Sequence, residues 1–128
     1  MEPKFLTLEE VLEIHRDQIQ RYGGAEGVGD PGLLESALGV PRSGAGKHYF
    51  HSDLIEMAAA YLFHIVRNHP FIDGNKRTGT AAALVFLKLN DIEVDVTNDA
   101  LVEKVLFVAE GKLDKAAVAA FLRKHVPR

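Results

Sequence analysis

Met57-Ala58-Ala59-Ala60-Tyr61-Leu62-Phe63 and Ala81-Ala82-Ala83-Leu84-Val85-Phe86-Leu87 decide the fold. Each run has seven residues and is apolar nearly all round. Seven residues cannot span a bilayer, which takes about 20. Helices that are apolar on most faces are buried on several sides. The runs therefore predict two central helices. One runs from about Leu54 to Arg67, capped by Ser52 or Asp53, and the other from near Asn75 to Asn90.

The flanking sequence reads as shorter helices around this pair. Thr7-Leu8-Glu9-Glu10 is a capping box, in which the Thr and the Glu satisfy each other's free backbone amides. Leu8, Val11, Leu12, Ile14, His15 and Ile19 then recur at helical spacing until Gly23-Gly24 stops the helix. Asp30-Pro31 starts a second helix, with Leu33, Leu34, Ala37 and Leu38 as its stripe. Residues 39–50 are rich in Gly, Pro, Ser and Lys and read as a loop. Ile92, Val94 and Val96 alternate with acids, which predicts a short strand. Thr97 or Asn98 starts a fifth helix ending at Gly111, and a sixth runs from about Asp114 to His125. The expected architecture is all-α: a compact bundle of about six helices forming one domain, 1–128.

Composition narrows the function classes. The chain has 128 residues, 47% hydrophobic and 26% charged, an ordinary globular balance. It has no cysteine, which excludes disulfides, a thiol nucleophile and Cys-based metal sites, and is compatible with a reducing cytosol. Fifteen Lys and Arg against 18 Asp and Glu give a net charge of −3, which argues against general nucleic-acid binding. Met1-Glu2-Pro3-Lys4 lacks the charged-then-apolar form of a signal peptide. A soluble cytoplasmic protein with neither a membrane nor a direct nucleic-acid partner is expected.

The connection between the central helices carries the chemistry: His69-Pro70-Phe71-Ile72-Asp73-Gly74-Asn75-Lys76-Arg77-Thr78-Gly79. Pro70 forces the preceding residue out of helical geometry, so the first central helix stops at His69. Phe71 and Ile72 are apolar in a loop and pin it to the core. Gly74 permits a turn or a close ligand approach. Lys76 and Arg77 then sit in a first helical turn, where cations oppose the helix dipole unless an anion lies opposite. Free amides, a positive dipole end and two cations make an anion site, most naturally for a polyphosphate. A lone carboxylate beside phosphates, here Asp73, is a usual Mg²⁺ holder. A histidine ordinarily titrates near ~6.5, so His69 suits proton removal from a hydroxyl. These residues together read as a nucleotide-dependent transferase. The plainer reading has Asp73 and Asn75 capping a helix, a loop histidine and two solvated cations.

The nine-residue run H-P-F-I-D-G-N-K-R, from His69 to Arg77, resembles the signature loop of the Fic/Doc family, specifically its death-on-curing (Doc) toxin branch. Arg21-Tyr22-Gly23-Gly24, Gly29–Glu35 and Ala58–Leu62 resemble that branch too. The resemblance implies a Fic/Doc-type helical bundle and assigns roles by position. His69 is the general base on the target hydroxyl and Phe71 the loop anchor. Asp73 is the Mg²⁺ ligand, Gly74 and Asn75 the anion nest, and Lys76 and Arg77 the phosphate binders. It also implies ATP as co-substrate and phosphoryl transfer to a Ser or Thr of a translation elongation factor. Adenylylating members commonly carry Gly after the Asn and a second Arg three residues past the first. Here those positions are Lys76 and Thr80, which favours phosphoryl over AMP transfer. Gly74, where the prototype of the branch carries Ala, keeps AMP transfer open.

Many members inhibit themselves through a pattern [ST]-x-x-x-E-[GN]. The Glu-Gly pairs here, Glu26-Gly27 and Glu110-Gly111, are preceded at that spacing by Tyr22 and Leu106, so a separate antitoxin is expected. A flap ahead of the central helix docks the target in the family, which makes Lys47 and Tyr49 candidates. Arg67 either bonds within the fold or reaches the nucleotide.

Other signals read as structural. Gly27–Gly32 matches G-x-G-x-x-G, but no strand precedes it. His48 and His51 lack a ligand set beyond Asp53. His64 reads as a core histidine with a hydrogen-bond partner. Arg123-Lys124-His125 reads as a solvated helix end. A non-catalytic helical module holding an anion or a peptide remains an alternative, and a helix-turn-helix DNA binder is disfavoured by charge.

Overall fold

Side-chain caps start five of the six helices in the computed structural model, which describes residues 2–46 and 48–127. Thr7 closes the expected capping box with Glu10 and begins α1 (Leu8–Tyr22). Asp30 accepts from Leu33 N–H and begins α2 (Pro31–Gly39). Asp53 caps α3 (Leu54–Asn68) through Glu56 N–H. Thr97 caps α5 (Asn98–Ala109) and Asp114 caps α6 (Lys115–Lys124). The exception is α4 (Asn75–Leu89), whose N-cap is Gly74 in left-handed geometry, with no side-chain hydrogen bond.

The architecture is mostly helical, as the sequence predicts. α3 is the hub: it packs against α4, α6, α2 and α5, while α1 lies on α4. Met57, Ala58, Ala59, Ala60, Tyr61 and Leu62 of α3 are all buried, which explains why that run is apolar on every face. Tyr61 keeps its hydroxyl satisfied by accepting from Leu6 N–H at 3.0 Å. On α4, Ala82, Ala83, Phe86 and Leu87 close the same core. Gly79 sets how near the two helices come. A Cβ there would meet Val66 Cγ2 at 2.9 Å and the Leu62 carbonyl oxygen at 3.2 Å.

Two expectations need correction. Residues 92–96 form no strand. Ile92, Val94 and Val96 are half-buried and the residues between them exposed, so the alternation is real. A ladder needs a neighbouring strand, however, and this segment instead donates from Ile92 N–H to Leu87 O and from Asp95 N–H to His125 O. Conversely, residues 39–46 and 48–50 hold regular elements where a loop is expected. They hold a 3-10 turn, Val40–Arg42, and a small antiparallel pair, β1 (Gly44–Ala45) with β2 (His48–Tyr49). Lys47 lies outside the described residues. No helix among the described residues is long and apolar enough to cross a membrane.

Candidate active site

The site is the connection from α3 to α4, residues 69–74, plus the first turn of α4. His69 is the C-cap of α3, at φ 53° and ψ 52°. The sequence predicts only that Pro70 expels it from helical geometry; the structure puts it in the left-handed region. A side chain there is uncommon and strained by about 1–3 kcal/mol, a cost retained where the surroundings enforce it. The imidazole is exposed.

What enforces that conformation is a small network behind the loop. Phe71 is buried, and its backbone N–H and C=O both bond the Asn75 side chain, to Oδ1 and from Nδ2, each at 2.9 Å. The Asn75 side chain is therefore turned into the protein, 3% exposed, and locks the loop from within. Its contribution to an anion nest is restricted to its backbone amide. On the other side, residues 27–30 run alongside the loop. Val28 bridges Phe71, Ile72 N–H donates to Gly27 O, and Gly29 and Asp30 N–H both donate to Pro70 O. The stretch that matches a dinucleotide pattern in sequence is thus a brace for the loop.

Asp73 is exposed, and its two carboxylate oxygens face backbone donors: Oδ2 accepts from Ala25 N–H at 3.2 Å and Oδ1 from Gly74 N–H at 2.8 Å. These two amides, Ala25 first, hold its carboxyl below the usual carboxylate range. The group is ionised at neutral pH and keeps free lone pairs. Among the described residues no three His, Cys, Asp or Glu side chains gather around a common point. One ionised carboxylate without a cage fits Mg²⁺, which keeps most of its waters and shares phosphate oxygens. Gly24 must be glycine for this arrangement, because a Cβ there would lie 2.6 Å from Asp73 Oδ2.

The two cations separate. Lys76 is exposed and makes no ion pair among the described residues. Arg77 is half-buried and reaches back to α1: Nη1 donates to Gln18 O at 3.3 Å and Nη2 to Gly23 O at 2.9 Å, over the Tyr22 ring. It thereby ties the start of α4 to a carbonyl in the last turn of α1 and to that of its C-cap, Gly23. Both cations border a groove of about 460 Å³ lined by Tyr22, Thr80, Leu84, Val102 and Leu106. Thr80 places no cation there; its hydroxyl donates to Lys76 O.

Sequence reasoning missed His15. It appears there only as a member of the α1 stripe, yet it is 2% exposed, stacked on Phe71 at 3.9 Å, and 2.8 Å from the Asp73 carbonyl through Nε2. A histidine on an apolar stripe needs a buried partner, and that was the available signal.

Two candidates lie elsewhere among the described residues. Arg67 bonds the carbonyls of Val108 and Ala109 at the end of α5, at 3.4 and 3.3 Å, so the reading within the fold is the one the geometry supports. Tyr49 donates to Glu2 and packs edge-on against Phe5, which ties it to the N-terminal segment. Asp53, beside the two histidines discounted as metal ligands, is committed to the α3 cap and to Arg123. His64 accepts from Lys115 Nζ at 3.1 Å, and burial with that nearby charge lowers its pKa to about 4.

The loop thus places an exposed histidine, an ionised carboxylate and an exposed lysine around a helix start that has no side-chain cap. The chain belongs to the Fic/DOC family, whose model matches residues 5–87, from before α1 to near the end of α4. It is similar to "Protein kinase doc" of Escherichia phage P1, 34% identical over 121 residues and 94% of each chain. It is also similar to "Toxin Doc" of Mycolicibacterium smegmatis, 37% identical over 107 residues and 79% of each chain.

Proposed function

We propose that residues 1–128 act as one domain, the toxin of a type II toxin–antitoxin module. In this reading it transfers the γ-phosphoryl group of ATP to a Ser or Thr hydroxyl of a translation elongation factor in the cytoplasm. The observation that carries the reading is Lys76, an exposed cation without an ion pair among the described residues, on a helix start with no side-chain cap, beside an ionised Asp73 and an exposed His69. The relative named as a protein kinase supports phosphoryl transfer. The relative named as a toxin supports a separate antitoxin, as do Tyr22 and Leu106 where an inhibitory Ser or Thr would stand.

His69 takes the proton from the target hydroxyl. The oxygen attacks the γ-phosphorus, an O–P bond forms, and the bond to the β–γ bridging oxygen breaks as ADP leaves. The proton on His69 passes to solvent. Lys76 and the first-turn amides of α4 draw the phosphates in. Asp73 would hold Mg²⁺, which supplies charge neutralisation on the phosphates. Arg77 acts mainly as the clamp between α1 and α4.

The test is label transfer from ATP to protein in bacterial lysate with Mg²⁺. Label from the γ position is expected, and label from the α position would replace this reading with AMP transfer. His69→Ala should lower transfer by about 10²–10⁴-fold. An unimpaired variant removes His69 as base, and no labelled protein from either position favours a non-catalytic binding module.

A further inference from the structure

We infer that His15 is a positioning residue: through the Asp73–Gly74 peptide it fixes the direction in which the Asp73 carboxylate points. The inference deepens the proposed function and rests on Asp73 being the Mg²⁺ ligand.

One peptide unit links three contacts. Its carbonyl oxygen, that of Asp73, lies 2.8 Å from His15 Nε2. A carbonyl only accepts, so Nε2 carries the hydrogen and donates. Its N–H, that of Gly74, donates to Asp73 Oδ1 at 2.8 Å. A peptide is planar, so holding its oxygen holds the orientation of its N–H. That N–H in turn holds one carboxylate oxygen, and Ala25 N–H holds the other. If the peptide rotates, the carboxylate loses one of its two guides.

His15 is itself fixed. It lies on α1, is 2% exposed, and its ring is stacked on Phe71 at 3.9 Å with 7° between planes. Phe71 is locked to Asn75 in turn. Gly74, at φ 78°, gives the peptide no conformational restraint of its own. An external anchor is therefore required, and His15 supplies it from a rigid helix. A core leucine at this position would fill the space and leave the carbonyl without a donor.

The test separates the ring's hydrogen bond from its packing. H15F keeps the stack and removes the donor, whereas H15Q removes the ring and keeps a nitrogen able to reach the carbonyl. Two readouts are taken: amide exchange at Gly74 and Ala25, and the Mg²⁺ concentration giving half-maximal transfer. In H15F both amides should exchange faster, and the Mg²⁺ requirement should rise about 10-fold, the usual effect of removing a support behind a metal ligand. H15Q should restore both toward wild type. If H15F does not fold, H15N replaces it: H15N and H15Q both lose the ring, but only Gln reaches the carbonyl. Equal exchange and equal Mg²⁺ requirement across donor-keeping and donor-lacking variants overturn the inference. If the wild type transfers nothing, the proposed activity fails while the exchange readout still decides the positioning.

Discussion

Replacing Asn75 with Ala should destabilise the whole fold as well as impair catalysis. The side chain makes two bonds of 2.9 Å to the backbone of Phe71, which is 1% exposed. Among the described residues neither backbone group of Phe71 has another partner. Each lost bond removes about 1 kcal/mol net, and each buried group left unpaired costs about 1–3 kcal/mol. Because the loop can relax toward water, the expected loss is about 2–4 kcal/mol. The unfolding entropy of a chain this long makes that about 7–15 °C in Tm. Asn75→Asp should lose a similar amount, because a carboxylate oxygen would face the Phe71 carbonyl. Urea and thermal unfolding measure the stability, and steady-state kinetics measure the function. A loop lock predicts that kcat falls and added ATP does not restore it. A phosphate ligand predicts a raised KM with stability unchanged. A variant with wild-type Tm and only a raised KM for ATP would refute the reasoning.

Gly79→Ala forces α3 and α4 apart at Val66 and Leu62. Overpacking of about 1–3 kcal/mol should outweigh the roughly 1 kcal/mol gained in helix propensity, and the urea midpoint should fall. Arg67→Ala removes two long bonds to the end of α5, so stability should drop by about 1 kcal/mol while KM for ATP stays within about twofold. His64 has its folded-state pKa lowered to about 4 by burial and the charge of Lys115, with His51 adding to it. The unfolded chain then binds the proton more readily, so stability is fully present above about pH 6.5 and is lost as pH falls toward 4. A shift of that size corresponds to about 3 kcal/mol, which the partial exposure of the ring reduces to about 1–2 kcal/mol. Unfolding midpoints from pH 7 to pH 4 should show the loss, and His64→Gln should flatten it.

Five helix starts were legible because a cap is a local event: Thr7, Asp30 and Asp114 speak to amides two or three residues on, and Asp53 and Thr97 were each one of two adjacent options. The two central helices were legible because burial on every face leaves no polar side to the run. The motif loop could be singled out because cations on a helix start contradict a local rule. A strand at residues 92–96 was misread because alternation reports half-burial, whereas a strand also needs a partner, and none lies beside it among the described residues. The pairing of Gly44–Ala45 with His48–Tyr49 was missed for the complementary reason: two-residue strands have no periodicity to read.

The sequence by itself determined which residues meet at the site, since His69, Asp73 and Lys76 sit within one short connection and chain continuity keeps them near one another. Only the tertiary structure decided which are free to act. Arg77 looks like Lys76 in sequence, yet carbonyls of α1 and its C-cap hold it; Asn75 looks like a phosphate contact, yet its side-chain amide faces inward. His15, more than fifty residues before the loop, carries no mark in the sequence of where it points. Hydrogen bonds between distant residues depend on how helices pack, and packing is set by the whole chain at once.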